Sequence, residues 1–525
     1  MKIKNIISFT GAVILLLVSS SCNKDYLDKN PLDAISNPTF WTSKEDVAMA
    51  VGGCYSRMYG SLMDYQRGYI DALGEDTYNY WGFFNTEQMV LGVISSTSGG
   101  MPESVWNGSY RGIAQCNFFL DNVDKATTVD PAIITAAKGE VRFLRALWYF
   151  DLVTGFGDVP LYTTSPKSAE ESKIARNPVA EVLAFIEEDL DFAIANLPNT
   201  AYNKGHAVKA SAQGIKARVL IWQQKWAATA AICQEIMSSG LFSIYGDYEG
   251  MFLKRGQKNN PEIMFACEYL GPTLYHSVYG MNIEYAKHIF LTPYLRDAYD
   301  CYDGLPITES PLYDSTGLAA SMLVVPDENK PWKFRENRDP RFKYIIRGPH
   351  TNWAGHYEYN FYDVTGVQNR KYIDTAIQGN YTYNYLNDWN CILLRYADIL
   401  LMYAEAQNEV SGPDAGVFAA IDQVHTRTTA LMHPSWIPMP PVDQARYNTK
   451  DKVREFIQKE RLLEFPMEGL RPNDLKRWKI AHIILPTLKN PGGYQYVFEN
   501  PKHYLWPIQQ GELDANKNLV QTPGY

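Results

Sequence analysis

Ten residues, Asp76 to Asn85, read DTYNYWGFFN and combine the two kinds of side chain that can hold a sugar ring. A sugar presents C–H groups on one face and hydroxyls around its rim, so a site for it pairs a flat aromatic platform with amide, carboxylate or guanidinium partners. Here Tyr78, Tyr80, Trp81, Phe83 and Phe84 offer rings, while Asn79 and Asn85 offer amides. Two further aromatic clusters follow, Tyr275, Tyr279 and Tyr285, then Trp353, Tyr357, Tyr359, Phe361 and Tyr362. Any one of these rings could equally pack its own loop onto a core. Three clusters in polar, loop-like sequence shift the reading toward a ligand.

Other chemistries find less support. The dense carboxylates Glu187, Glu188, Asp189 and Asp191 alternate with the apolar positions of a helix and read as a solvated face rather than a catalytic pair. The nine histidines are scattered without HExxH or other ligand spacing, and no G-x-S-x-G elbow occurs. His206, His425 and His482 read as ordinary surface or core residues. Beyond Cys22 six cysteines remain, widely spread and without CxxC spacing, which disfavours zinc and leaves disulfides open. No metal or cofactor is expected.

The elements that must position the loops are helical. Leu393 to Glu409, LLRYADILLMYAEAQNE, carries apolar residues on every side of a helical wheel and should be a buried helix. Its Arg395, Asp398 and Glu405 then require paired, hydrogen-bonded partners from neighbouring helices. Ser43 three residues before Asp46 predicts a capping box opening a helix with Val47, Ala50, Val51, Cys54 and Met58 on one face. Asp130-Pro131 and Asn177-Pro178 each predict an N-cap followed by proline in the first helical position. Val208–Trp222 and Trp226–Ser239, closed by Gly240, resemble a tetratricopeptide unit in which small residues let two antiparallel helices approach. From Leu241 to Asn390 the helical period mostly gives way to Gly, Pro, Asn and Tyr, which predicts an inserted region of loops and short strands, with one helix near Leu291 to Tyr299. Leu505, Trp506 and Ile508 should clamp the C-terminal tail onto the helices.

Composition narrows the function classes. With 49 basic against 58 acidic residues the net charge is -9, and no Lys/Arg cluster is suited to tracking a phosphate backbone, so nucleic acid is not an expected partner. Aromatic residues make up 13% of the chain, more than its core needs. At the start, Lys2 and Lys4 precede an apolar run from Ile6 to Val18 and the small residues Ser19, Ser20 and Ser21 before Cys22. This reads as a lipoprotein signal, cleaved before Cys22, whose thiol and new amine would take the acyl chains that hold a tethered body on a membrane.

Several stretches together carry a family resemblance: CNKDYLDKNP, NPTFWTSKEDVAMAVGGCYSRMY, GEVRFLRALWYFDLVTGFGDVPL, GHAVKASAQGIKARVLIWQQKW, NRDPRF, LLRYADILLMYAEAQNE, ERLLEFPMEGLRPNDLKRW and LWPIQQGELDANKNLVQTPGY. Their order resembles the SusD/RagB family of Bacteroidetes outer-membrane lipoproteins along nearly the whole chain. The resemblance implies a mainly α fold, a tetratricopeptide-like helical-repeat body with an inserted loop-rich variable region. It also implies a surface glycan site and a SusC-like TonB-dependent transporter over which the lipoprotein acts as a hinged lid. The corresponding organisation is a signal peptide over 1–21, a lipid-anchored tether over 22–36, helical parts over 37–240 and 391–525, and the variable region over 241–390. Asn23, Lys24 and Asp25 partly resemble the charged signal for display on the cell surface. Pro466 and Pro472 depart from the family pattern and should bend the helix end they occupy.

The shared motifs are scaffold motifs, so the site residues are placed on physical grounds. Tyr80 and Trp81 are expected to form the platform, Asn79 and Asn85 to meet hydroxyls, and Tyr279, Trp353 and Tyr357 to complete the wall. Such a protein would bind glycan without catalysis and deliver it for import. Two alternatives are the same lid role for peptides, and a surface glycoside hydrolase with a carboxylate pair in a cleft.

Overall fold

Ser43 accepts a hydrogen bond from the Asp46 amide at 3.1 Å while the Asp46 carboxylate accepts one from the Ser43 amide at 2.8 Å, and this expected capping box starts α1 (Lys44–Tyr55). The computed structural model describes residues 40–61, 63–276, 289–318, 333–347, 368–374, 387–427, 437–490 and 493–525. Met101–Asn122 form α2. Next comes α3 (Pro131–Phe156), opened by the Asp130 carboxylate on the Ala132 amide at 2.8 Å and ended at Gly157, whose φ of 71° suits glycine. The second proline start lies one residue later than expected. Asn177 pairs with Val159 in a bridge, and Pro178 caps α4 (Val179–Asn196).

After α4 come α5 (Lys209–Trp222) and α6 (Trp226–Ser238), then, beyond the loop-rich region, α7 (Tyr396–Ser411), α8 (Ala415–His425), α9 (Lys450–Glu464) and α10 (Arg471–Arg477). Consecutive helices pack on one another from α2 through α6, and α7 joins α6, α8 and α9. This is a mainly helical, tetratricopeptide-like body around one large core, with a smaller cluster about Leu475 of α10. Close approach within it depends on missing side chains. A Cβ at Gly112 on α2 would lie 2.3 Å from the Trp148 indole of α3, which is buried. Gly112→Ala should therefore destabilise the protein by about 1–3 kcal/mol, read as a lowered urea midpoint.

Among the described residues six short strands supplement the helices: β1 (Thr77–Asn79), β2 (Ile263–Cys267), β3 (Ile289–Leu291), β4 (Ile346–Arg347), β5 (Gln368–Asn369) and β6 (Cys391–Arg395). They pair antiparallel as β1 with β3, β2 with β6 and β4 with β5. Strands of the loop-rich region are thus tied to strands on either side of it in sequence. The helix expected near Leu291 is Pro293–Ala298, capped by Thr292. The tail clamp is as expected: the Trp506 amide donates to the Gly155 carbonyl at 2.8 Å, and Ile508 is buried. Pro472 takes an early position in α10, and the chain between α9 and α10 turns through Met467 and Gly469, both at positive φ. Among the described residues no helix is long and apolar enough to cross a membrane.

The central stretch differs from expectation at its start. Cys391–Arg395 is strand, and the helix begins at Tyr396, because a run buried on both faces has no period to tell strand from helix. The predicted ion pairs are all present. Arg395 uses its full set of donors: Nε and Nη2 on the Glu468 carboxylate at 2.8 Å, Nη1 on Glu262 at 2.9 Å and on Glu464 at 2.5 Å, and Nη2 on the Glu464 carbonyl at 2.8 Å. Arg427 bridges Glu262 and Glu464, Arg341 joins Asp339, Glu460 and Glu464, Lys371 meets Glu468, and His425 lies 3.0 Å from Glu460. Asp398 accepts from Arg218 and Arg461, each at 2.7 Å, and Glu405 accepts from Arg477 and the Trp478 indole.

One carboxylate expected in solvent is not there. Asp189 is buried and takes both Nε and Nη2 of Arg145, at 2.8 and 2.9 Å, while Glu187 and Asp191 meet Lys225 and Lys216. A carboxylate turned inward from α4 is tolerable only with a charged, hydrogen-bonded partner, and Arg145 of α3 supplies it. The six described cysteines are buried and free.

Candidate functional site

The aromatic loop hangs from β1, where Tyr78 opposes Phe290 of β3. Beyond Asn79 the chain turns through Gly82, Phe84 and Asn85, with φ of 63°, 59° and 54°. Glycine adopts that region freely, whereas a phenylalanine there costs on the order of 1–3 kcal/mol and persists only where its surroundings impose it. Four hydrogen bonds impose it. Asn79 Nδ2 donates to the Phe83 carbonyl at 2.8 Å and to Thr86 Oγ1 at 2.9 Å, Asn85 Nδ2 donates to the Ser98 carbonyl, and Asn85 N donates to the Gly82 carbonyl at 2.9 Å. Gly100, at φ 76°, lies so close that a Cβ would stand 2.4 Å from the Phe84 carbonyl oxygen.

The consequence is an outward pair of rings. Phe84 turns in against Tyr69, with centroids 5.2 Å apart, while Trp81 is 50% and Phe83 45% exposed. Tyr80 meets Trp81 edge to face at 5.2 Å and 82°, and meets Phe290 at 6.0 Å and 75°. Phe290 is itself buried on β3, so the exposed indole is braced through Tyr80 to the core. A platform fixed in this way loses little side-chain freedom when a ligand stacks on it.

The expected amides need correction. Asn79 is 3% exposed and its amide nitrogen holds the loop, so it cannot present a donor to a ligand arriving from solvent. Asn85 is partly exposed, and its amide nitrogen is likewise engaged, on Ser98. Both are loop-fixing residues in this structure. Phe83, which was not placed in the site from sequence, is a second exposed ring of the same loop, its inner side 6.0 Å from the Tyr69 ring, and the signal for it was the Gly82 turn immediately before. Tyr275 packs across the Gly271 backbone. Tyr279, Trp353 and Tyr357 lie outside the described residues, as does Cys22.

Below the loop sits a buried acidic group. Asp76 is fully buried with neither carboxylate oxygen hydrogen-bonded, and burial, then the charges of Asp71 and Glu75, pushes its carboxyl well above the usual range. Asp71 accepts from the amides of Gly469 and Arg471, yet burial still pushes it up to about 7. Glu75 receives Arg471. These acids lie in the core and not in a cleft, so they do not form the spaced, solvent-reaching pair that glycoside hydrolysis requires.

Residues 275–525 match the SusD family, and residues 25–221 match a family described as starch-binding, associating with the outer membrane. A SusD-like protein of Formosa agariphila is 28% identical over 99% of this chain and 98% of its own length. Among solved structures, a SusD-like carbohydrate binding protein from Bacteroides fragilis superposes with a TM-score of 0.77 at 24% identity, over 92% of this chain and 100% of that one. A laminarin binding SusD-like protein superposes with a TM-score of 0.67 at 23% identity, over 92% of this chain and 100% of that one. At such identities the superpositions speak for the fold, and with both halves of the sequence matched, the chain belongs to the SusD/RagB family.

Proposed function

We propose that this protein is a non-catalytic, lipid-anchored binder of oligosaccharides that hands them to a SusC-like TonB-dependent transporter in the outer membrane. The observation that carries the binding step is the Trp81 indole, half exposed and braced edge to face by Tyr80 on a strained loop that also exposes Phe83. Strain kept in a loop at the surface is expected where the conformation serves a ligand. Family membership supports carbohydrate as that ligand, as do the starch-binding description of the matched family and the laminarin binding of one structural neighbour. The lipoprotein signal ending at Cys22 supports attachment to the membrane that the same description names. Delivery would follow from a higher affinity for ligand in the closed state of the lid than in the open one.

Isothermal titration of the chain lacking residues 1–25 tests the binding step, with maltoheptaose and laminarihexaose as probes. One of them should bind in the micromolar to millimolar range, and Trp81→Ala should weaken it at least tenfold, about 1.4 kcal/mol, while circular dichroism and the melting temperature stay unchanged. Equal affinity in the folded variant would remove Trp81 from the site. Binding of an extended peptide, with neither glycan bound, would replace the carbohydrate reading by the peptide one.

A further inference from the structure

A cleft of about 890 Å³, within the range of small-molecule sites, runs between the end of α3, the start of α4, the end of α10 and the C-terminal tail. It shares no lining residue with the Asp76–Asn85 loop. Three cations line it, Arg176, Lys476 and Lys479, against one carboxylate among the described lining residues, Asp158. Asp158 is already engaged, accepting the Val179 amide at 2.7 Å.

Lys476 is the unusual member. Its neighbours Arg461, Arg471 and Arg477, buried in the same region, each hold a carboxylate. Lys476 is only 6% exposed, and its contacts are the Thr154 carbonyl at 3.4 Å and the Trp506 ring at 4.7 Å. A buried ammonium has three donors to satisfy, and one long contact to a carbonyl leaves it poorly compensated. Burial, aided by Lys479, pushes it down to about 7. Arg176 adds charge without a carboxylate partner at salt-bridge distance, because its donors go to the carbonyls of Phe156, Asp158 and Val520. Lys479 sits at φ 60° with its Nζ 4.9 Å from the Tyr504 ring. The same cleft offers the flat side chains of Trp222 and Tyr504.

We infer that this cleft is an anion-accepting site, taking a sulfate or carboxylate group, with Lys476 supplying the charge and Lys479 and Arg176 the surrounding positive field. An oxyanion entering there would give Lys476 the charged partner that the fold withholds. The cleft has room for a sugar ring carrying that group, and the inference holds independently of what the Trp81 loop binds.

The test is titration calorimetry and thermal melting at pH 6.5 and constant ionic strength, on the chain lacking residues 1–25, with glucose 6-sulfate, glucuronate, inorganic sulfate and glucose. At least one anion should bind and raise the melting temperature, while glucose should not. A sugar sulfate binding tenfold or more above inorganic sulfate marks a saccharide site, and equal affinities mark a free-anion site. Lys476→Met should lose tenfold or more in anion affinity, and should melt higher than the parent without ligand, since a poorly compensated buried charge is gone. Lys479→Met should lose several-fold, and Trp81→Ala nothing. Three results would overturn the inference: no anion binding, parental affinity in Lys476→Met, or a lowered ligand-free melting temperature in that variant, which would make Lys476 a structural cap for the end of α3.

Discussion

Arg395→Met should cost the protein about 3–5 kcal/mol, the largest effect expected of any single substitution here, because it removes the shared partner of three buried carboxylates. Glu262 and Glu464 would keep Arg427, but Glu468 would be left with Lys371 alone. Burial pushes that lysine down to about 8, so it is a weaker counter-charge than the guanidinium it must replace. Glu468 would then be driven to take up a proton. Arg395→Lys should recover little, since an ammonium has three donors where the site uses five, and it cannot reach three carboxylates and a carbonyl as the planar guanidinium does. Urea unfolding of both variants decides the matter: a midpoint shift with unchanged slope is expected for each. A change below about 0.5 kcal/mol in Arg395→Met would show that the remaining cations redistribute over the carboxylates without loss.

That network was legible in outline because charge in a buried helix has only one physical solution. Apolar residues all round the wheel implied burial, and burial implied partners for Arg395, Asp398 and Glu405. Which elements would bring them was not legible, since Glu262 and Glu468 are 133 and 73 residues from Arg395 along the chain. The same all-round apolar character hid the strand at Cys391–Arg395, which shows itself only through its pairing with β2. Asp189 was misplaced for a related reason. The period of α4 puts it near the apolar face, but only Arg145 of a different helix makes an inward carboxylate tolerable.

In the aromatic loop the exposure of the rings was legible and the role of the amides was not. Exposure of Trp81 followed from aromatic residues standing where no helical period asks for a core. Asparagine carries no such signal: it serves turns by bonding nearby backbone as readily as it serves ligands. Asn79 and Asn85 both took the first role, and the positive φ at Phe84 that they support cannot be read from residue type, because phenylalanine does not favour it.

A second large effect is expected from pH, and it runs in opposite directions on the two sides of about pH 5. Burial alone would raise the Glu464 carboxyl, but Arg427, Arg395 and Arg341 outweigh it and bring it down to about 2. Glu460 and Asp398 are held lower still, burial again being outweighed by Arg341 and His425 in one case and by Arg218 and Arg461 in the other. These groups have depressed folded values, so their contribution is present above the unfolded range near 4 and is lost as pH falls from there toward 2. Asp71 and Asp76 act in reverse. Their folded values are raised, chiefly by burial, so the folded state keeps protons that the unfolded chain has released. Their contribution is present below about 4 and is lost as pH rises through the raised folded values, about 7 for Asp71. Urea midpoints measured from pH 3 to pH 8 should therefore peak near 5, with a decline on the alkaline side on the order of a few kcal/mol. Asp76→Asn keeps the shape and removes one of the titrations, so it should make that alkaline limb shallower, with Asp71 still contributing, while leaving the acid limb in place. A parent profile flat from pH 5 to 8, or a variant that keeps the full decline, would mean that Asp76 finds in solution the hydrogen bonds its two oxygens lack in the folded core. Asp64, which burial pushes up to about 6, and the buried Asp189 and His425, both raised, decline on the same side, so the difference between parent and Asp76→Asn is what isolates the acid beneath the aromatic loop.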